Sequence, residues 1–80
     1  MVADANAKYE WISSSNGEVP NGAIQGGHTS SGEPLYIGRI VHDGVLTTGK
    51  IHPSHGVVYV PYASKEHGYG CDYEILVAIE

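Results

Sequence analysis

Pro34–Lys50, PLYIGRIVHDGVLTTGK, is the stretch whose reading decides the fold. It reads as a strand over 35–41, a tight turn at His42-Asp43-Gly44 and a returning strand over 45–48. Asp-Gly between β-rich runs is a strong short-range hairpin signal, because Gly takes positive φ without a Cβ clash and Asp bonds its own backbone. Side chains alternate across a strand, so Leu35, Ile37, Arg39 and Val41 share one face and Tyr36, Gly38 and Ile40 the other. Arg39 is the odd member of its face. It belongs at a sheet edge, or its guanidinium is paired inside a polar site. The hairpin delivers Gly49-Lys50 at a strand end.

Outward from this hairpin the chain keeps the same punctuation. Tyr9–Ser13 reads as a first strand, followed by turns at Asn16-Gly17 and Asn21-Gly22. Pro20 forces Val19 into an extended conformation, and 23–25 is a very short edge piece blunted by the glycines after it. Gly26–Glu33, GGHTSSGE, reads as a loop, and 52–56 as another turn. Val57–Tyr62 is apolar on both faces and reads as a strand covered on both sides that ends, or lies at an edge, at Pro61. A polar knot, Ser64-Lys65-Glu66-His67, precedes a last strand over 73–80 that alternates cleanly, with Tyr73, Ile75, Val77 and Ile79 on one face. Six or seven short strands with a turn every ten residues or so predict an all-β domain, a small antiparallel β-sandwich or partly open barrel. The expected organisation is a flexible segment over 1–8 and a single β domain over 9–80.

An 80-residue chain buries only about 60% of its unfolded surface, so the core is thin and extra stabilisation is expected. One cysteine, Cys71, excludes an internal disulfide, which leaves self-association as the natural route. Four Lys plus Arg against nine Asp plus Glu give a formal charge of −5. That balance disfavours nucleic acid and anionic membranes as partners. No run approaches the length of a membrane span. The absence of an export signal, with the lone cysteine, points to a reducing, cytoplasmic setting.

Five histidines invite a metal reading, but His28, His42, His52, His55 and His67 show no zinc spacing and there is no cysteine pair. Glu66 and His67 are adjacent in an extended segment and point apart, which is wrong for an acid–base pair. Asp72 beside Cys71 opposes a thiolate, and no nucleophile elbow is present. The sequence therefore calls for neither a metal, a cofactor nor an enzyme. A binding module is the better class. The 26–33 loop offers His28, Thr29 and Ser30 on a backbone that a ligand can approach closely, although no Gly-Lys-Ser/Thr follows to make it a nucleotide loop. Lys50 is either a solvated lysine or a donor to an anionic or polyhydroxylated ligand. Trp11 is either core filler or a platform for a ligand ring. A sugar suits this set, hydroxyls being held by carboxylate, amide and ammonium groups with one ring face on an aromatic.

Taken in order, Trp11, Gly17-Glu18-Val19-Pro20, Ala23-Ile24-Gln25-Gly26-Gly27, Leu35-Tyr36-Ile37-Gly38-Arg39, Gly49-Lys50-Ile51, Lys65-Glu66-His67 and Tyr73-Glu74-Ile75-Leu76-Val77 resemble the DM9 repeat family over nearly the whole chain. The resemblance implies an all-β fold, usually in tandem as a pseudo-symmetric pair. Some members are similar to mannose-binding lectins of invertebrate innate immunity, others are linked to vesicle responses in infected insect cells, and others precede pore-forming modules in fish-toxin-like proteins. It also implies a sugar near the junction of repeats, held by the lysine of the Gly-Lys element and an acid in the loop after Gly-Gly. The lysine matches Lys50. The acid matches Thr29, so the carboxylate is missing, and Glu33, later in the same loop, is the candidate substitute. A single repeat regenerates the tandem arrangement as a C2 homodimer, a strand swap fits its short edge pieces, and two copies of Lys50 make a bivalent lectin. The supporting residues are Lys65, Glu66, pairing with Arg39 or Lys50, and His67, capping a turn. Arg39 is expected to pair with a buried carboxylate. The competing expectation is a structural or protein-interaction module without sugar binding.

Overall fold

The computed structural model describes residues 8–79. It consists of seven antiparallel strands, β1 (Tyr9–Ser14), β2 (Gln25–His28), β3 (Pro34–His42), β4 (Val45–His52), β5 (Val57–Tyr62), β6 (Lys65–Tyr69) and β7 (Tyr73–Ala78), with one 3-10 turn at Pro53–His55. They form an open sheet in the order β1-β7-β3-β4-β5-β6, with β2 pairing β3 off that path. This is the all-β architecture expected from the alternation and the turn spacing. Residues 1–7 of the expected flexible segment lie outside the described residues, while the Lys8 carbonyl accepts the Ile79 N–H at 3.0 Å.

The β3–β4 hairpin forms where the Asp-Gly signal placed it. Asp43 and Gly44 both take positive φ, 53° and 78°, the geometry that matches the right-handed twist of the flanking strands. The returning strand is longer than expected. It runs on to His52, so Lys50 lies inside β4, opposite Ile37, and not at a strand end. Two further expectations need correction. Gly26 and Gly27 are not loop: they lie in β2, paired with β3 through a register shift between Gln25 and Gly27. The polar knot is largely strand: β6 begins at Lys65 after a two-residue turn in which Ala63 and Ser64 take φ of 53° and 66°. No Gly or Asn marks that turn in the sequence, and the β5 partner supplies what local propensity lacks.

One face of the sheet carries the core. Ile40, Ile51, Val58, Val60, Tyr73, Ile75 and Val77 are buried on it, each contributing roughly 1.5–3 kcal/mol of burial. A close approach shapes this face. Gly38 and Gly49 sit directly opposite each other. A Cβ on Gly49 would lie 2.1 Å from the Tyr59 carbonyl oxygen, and one on Gly38 would lie 2.7 Å from Ile51 Cδ1. The glycine pair thus lets β5 fold close over β3 and β4. At one end of the core the Gly17 N–H donates to the buried Tyr73 hydroxyl at 2.8 Å, tying the turn to the core.

Val57–Tyr62 is covered on one face, not two. Val58 and Val60 are buried, whereas Val57 and Tyr59 are half-buried and Pro61 is exposed. β5 is also an inner strand, flanked by β4 and β6. Residues flanking a two-residue hairpin turn exchange both backbone bonds, so Pro61, opposite Glu66, falls in a non-bonded pair with its nitrogen turned from β6. The β4–β5 ladder ends at Lys50–Tyr59, so the missing N–H costs nothing on that side either.

Candidate functional site

The outer face of the sheet, opposite the core, divides into two halves. On β1, β7 and β3 lie Trp11, Glu74 and Arg39. Arg39 Nε donates to Glu74 Oε1 at 2.7 Å, and its guanidinium carbon stands 4.2 Å from the centroid of the Trp11 ring. Trp11 is therefore half-buried on the outer face and is not core filler. The carboxylate partner of Arg39 is Glu74, 38% exposed, and neither a buried acid nor Glu66.

On β4, β5 and β6 the same face holds a shallow groove. One part, about 400 Å³, is lined by Ile37, Thr48, Gly49, Lys50, Tyr59, Pro61 and Glu66. An adjoining part, about 440 Å³, is lined by Leu35, Lys50, His52, His55, Tyr59 and Glu66. Lys50, Tyr59 and Glu66 belong to both. Their convergence follows from register. Lys50 pairs directly with Tyr59, Tyr59 with Gly68, and Pro61 with Glu66. Period-two alternation then puts all of them on one face.

The groove's walls are built by small residues. A Cβ at Gly68 would meet Tyr59 Cε1 at 3.1 Å, so the tyrosine ring lies against the bare β6 backbone. A Cβ at Gly26 would meet Ile37 Cγ1 at 2.8 Å and Lys50 Cε at 3.4 Å. The Gly-Gly and Gly-Lys elements, far apart in sequence, are packing partners, and the aliphatic stem of Lys50 runs beside the β2 backbone while its ammonium group remains exposed. Tyr59 is tethered at its far end, where its hydroxyl shares a hydrogen bond with His55 Nδ1 at 2.8 Å. His55 in turn stacks on His52, with ring centroids 3.6 Å apart and an interplanar angle of 21°.

The loop residues sit differently. Thr29 Oγ1 accepts the Glu33 N–H at 3.0 Å and is 2.9 Å from Ser31 Oγ, so its side chain closes its own loop. Glu33 is heavily engaged: its carboxylate accepts from Ser54 Oγ at 2.7 Å, Ser54 N–H at 2.8 Å and His52 Nε2 at 2.9 Å. These bonds, those of Ser54 foremost, hold its pKa below the ordinary carboxylate value. Its charge clamps the 3-10 turn to the start of β3. His28 and Ser30 are exposed beside it. The trio Lys65-Glu66-His67 is split by the pleat. Glu66 faces the groove, while His67 faces the inner side, tilted against His42 with ring centroids 4.5 Å apart, and caps no turn. Lys65 is exposed at the hairpin end.

The structure thus brings Lys50 and Glu66 together and keeps His28, Thr29 and Ser30 apart from them. The sequence weighed His55 only as a metal ligand and did not place it or Tyr59 in a binding site. The alternation within 57–62 put Tyr59 opposite Val58 and Val60, but only the β4–β5 register sets it beside Lys50. Among the described residues, no group of three or more His, Cys, Asp or Glu has metal-holding geometry, and no helix is long and apolar enough to cross a membrane.

Comparison with known proteins agrees with the resemblance read from the motifs. The DM9 repeat family matches residues 1–69. Natterin-3 of Thalassophryne nattereri is 33% identical over 67 residues, which is 84% of this chain and 16% of that protein. The chain accordingly spans a small part of that relative's length.

Proposed function

The chain belongs to the DM9 repeat family, and from that premise we propose that it is a non-catalytic carbohydrate-binding module, a lectin for mannose or a related glycan, with its site in the outer-face groove. The observation that carries this reading is the convergence of Lys50, Tyr59 and Glu66 on one groove. An ammonium group, a carboxylate and a tethered aromatic ring are the three elements that hold a pyranose: donors and acceptors for adjacent hydroxyls, and an apolar surface for the C–H face. In this reading Glu66 supplies the acid that Thr29 lacks, because Glu33 is already engaged by Ser54 and His52. The chain acts as a homodimer in glycan recognition, each protomer bringing one groove, and its exposed free Cys71 suits a reducing compartment such as the cytoplasm.

Calorimetric titration with mannose, run beside light scattering, tests this. One site per chain and a mass twice that of the chain are expected, with binding lost in Lys50→Ala. Absence of saturable binding to mannose and to a glycan array would overturn the sugar reading.

A second reading has its own support. Val41, Val45 and Leu46, at the tip of the β3–β4 hairpin, are 60%, 51% and 54% exposed. Apolar side chains clustered at a projecting tip favour a protein-interaction module. A stoichiometric protein partner that free sugar does not displace, and that is lost on Leu46→Ser, would favour it over the lectin.

A further inference from the structure

The groove has two unlike ends. At the Pro61 end its polar lining is Thr48 and Glu66, with Lys50 at the middle. At the other end lie the stacked imidazoles of His52 and His55, beside Lys50, Tyr59 and Glu66. That second end has no evident task in holding a neutral sugar ring.

We propose that the end of the groove between Lys50 and the His52–His55 stack is a subsite for an anionic substituent of the bound glycan, a sulfate or phosphate ester or a uronate carboxylate, and that proton uptake by the histidines charges it. The proposal rests on the groove being the sugar site.

The charged and titratable groups that face the stack come from every neighbouring element. Glu33 approaches from the β2–β3 loop, Lys50 from β4, Tyr59 from β5 and Glu66 from β6. Glu33 is not available to neutralise the subsite as a whole. Its oxygens are taken by Ser54 N–H, Ser54 Oγ and His52 Nε2, so a proton on His52 is already matched by that carboxylate. A second proton, on His55, has no such partner. Its Nδ1 is committed to the Tyr59 hydroxyl, and protonation leaves a further N–H donor on the other ring nitrogen. Two imidazolium rings at 3.6 Å, with an ammonium group lining the same space, repel strongly unless an anion lies among them. Anion binding and proton uptake therefore favour each other, and affinity for an anionic ligand rises as pH falls through the range in which imidazoles titrate. Glu66 lines both parts of the groove and offers its oxygens to sugar hydroxyls.

The probes are methyl mannoside, mannose 6-sulfate, whose charge is constant over the range used, and inorganic sulfate. Each is titrated into the whole chain at about pH 7.5 and about pH 5.5, either side of the imidazole range. The expected result is that mannose 6-sulfate binds about tenfold tighter at the lower pH, about half a proton being taken up per ligand on average over that range, while methyl mannoside is insensitive to pH and sulfate alone binds far more weakly than the sulfated sugar. In His55→Gln, which keeps a hydrogen-bonding group toward Tyr59, the pH dependence is lost. Proton NMR of the wild-type chain provides a check that needs no variant: the His52 and His55 ring signals shift with mannose 6-sulfate at the lower pH, and those of His42 and His67 on the inner face do not. If methyl mannoside binds and mannose 6-sulfate is no tighter at either pH, the subsite is overturned and the lectin reading stands. If sulfate binds as tightly as the sulfated sugar, the site is an anion site independent of sugar and the proposal fails. If no sugar binds at any pH, both readings fail together.

Discussion

The two halves of the outer face carry the same three kinds of side chain in different states. Arg39 touches both Glu74 and Trp11: ion pair at 2.7 Å, guanidinium over indole at 4.2 Å. Lys50, Glu66 and Tyr59 line one groove, and no ion pair joins Lys50 to Glu66 among the described residues. A cation, an acid and an aromatic ring that satisfy one another form a strut. The same three held apart around a hollow leave their bonding capacity to a ligand. Arginine suits the first arrangement, because its planar fork both pairs and stacks, and lysine suits the second, as a point charge on a long stem. In the groove half Gly26 lies against Ile37 and the Lys50 stem, and Gly68 lies against the Tyr59 ring.

The largest effect is expected from Gly49→Ala. Its Cβ would lie 2.1 Å from the Tyr59 carbonyl oxygen and 2.7 Å from Val60 Cγ1, so β4 and β5 must separate. A loss of about 3 kcal/mol in urea unfolding is expected, and the groove is lost with it. Unfolding within about 0.5 kcal/mol of wild type, the usual range for a neutral surface change, would show that the close approach is not needed.

Lys50→Ala separates site from scaffold. Sugar affinity is expected to fall at least tenfold, about 1.4 kcal/mol, while the denaturation midpoint barely moves, since the ammonium group is exposed. Equal loss of stability and binding would make Lys50 a structural residue. Arg39→Ala is the mirror image. It removes an ion pair and a cation–π contact that are both partly solvated, so a stability loss of about 1 kcal/mol is expected, with sugar affinity unchanged by calorimetry. A loss of sugar affinity there would show that the two halves act as one.

The smallest effect is a slope, not a step. The folded-state pKa of Glu33 is depressed, chiefly by its bonds to Ser54. The stability it contributes is therefore complete above the ordinary carboxylate value and fades as pH falls through the lowered folded value. Acid unfolding of Glu33→Gln should lack that part of the slope and match wild type more closely at low pH than at neutral pH. Parallel acid-unfolding curves would mean that the clamp on the 3-10 turn is inconsequential.

Much of the fold is legible in the chain itself. The Asp43-Gly44 hairpin, the alternation of Tyr73, Ile75 and Val77, and the strand over 57–62 are local signals, and each element forms where the pattern puts it. The misreadings share a cause. Gly26-Gly27 and Lys65–Tyr69 carry weak strand propensity of their own, and Ala63-Ser64 lacks the usual turn residues. They become strand because β3 and β5 offer them backbone partners. The site divides the same way. Composition and the Gly-Lys element pointed to Lys50, but a residue's neighbours across a sheet depend on register, which no local spacing encodes. By itself the sequence determined the all-β class, the main hairpin and the apolar face, because turn chemistry and period-two burial are properties of short segments. Only the tertiary structure decided that Lys50, Tyr59 and Glu66 share a groove while Arg39 is consumed by Glu74 and Trp11, because those contacts arise from the pairing of strands far apart in the chain.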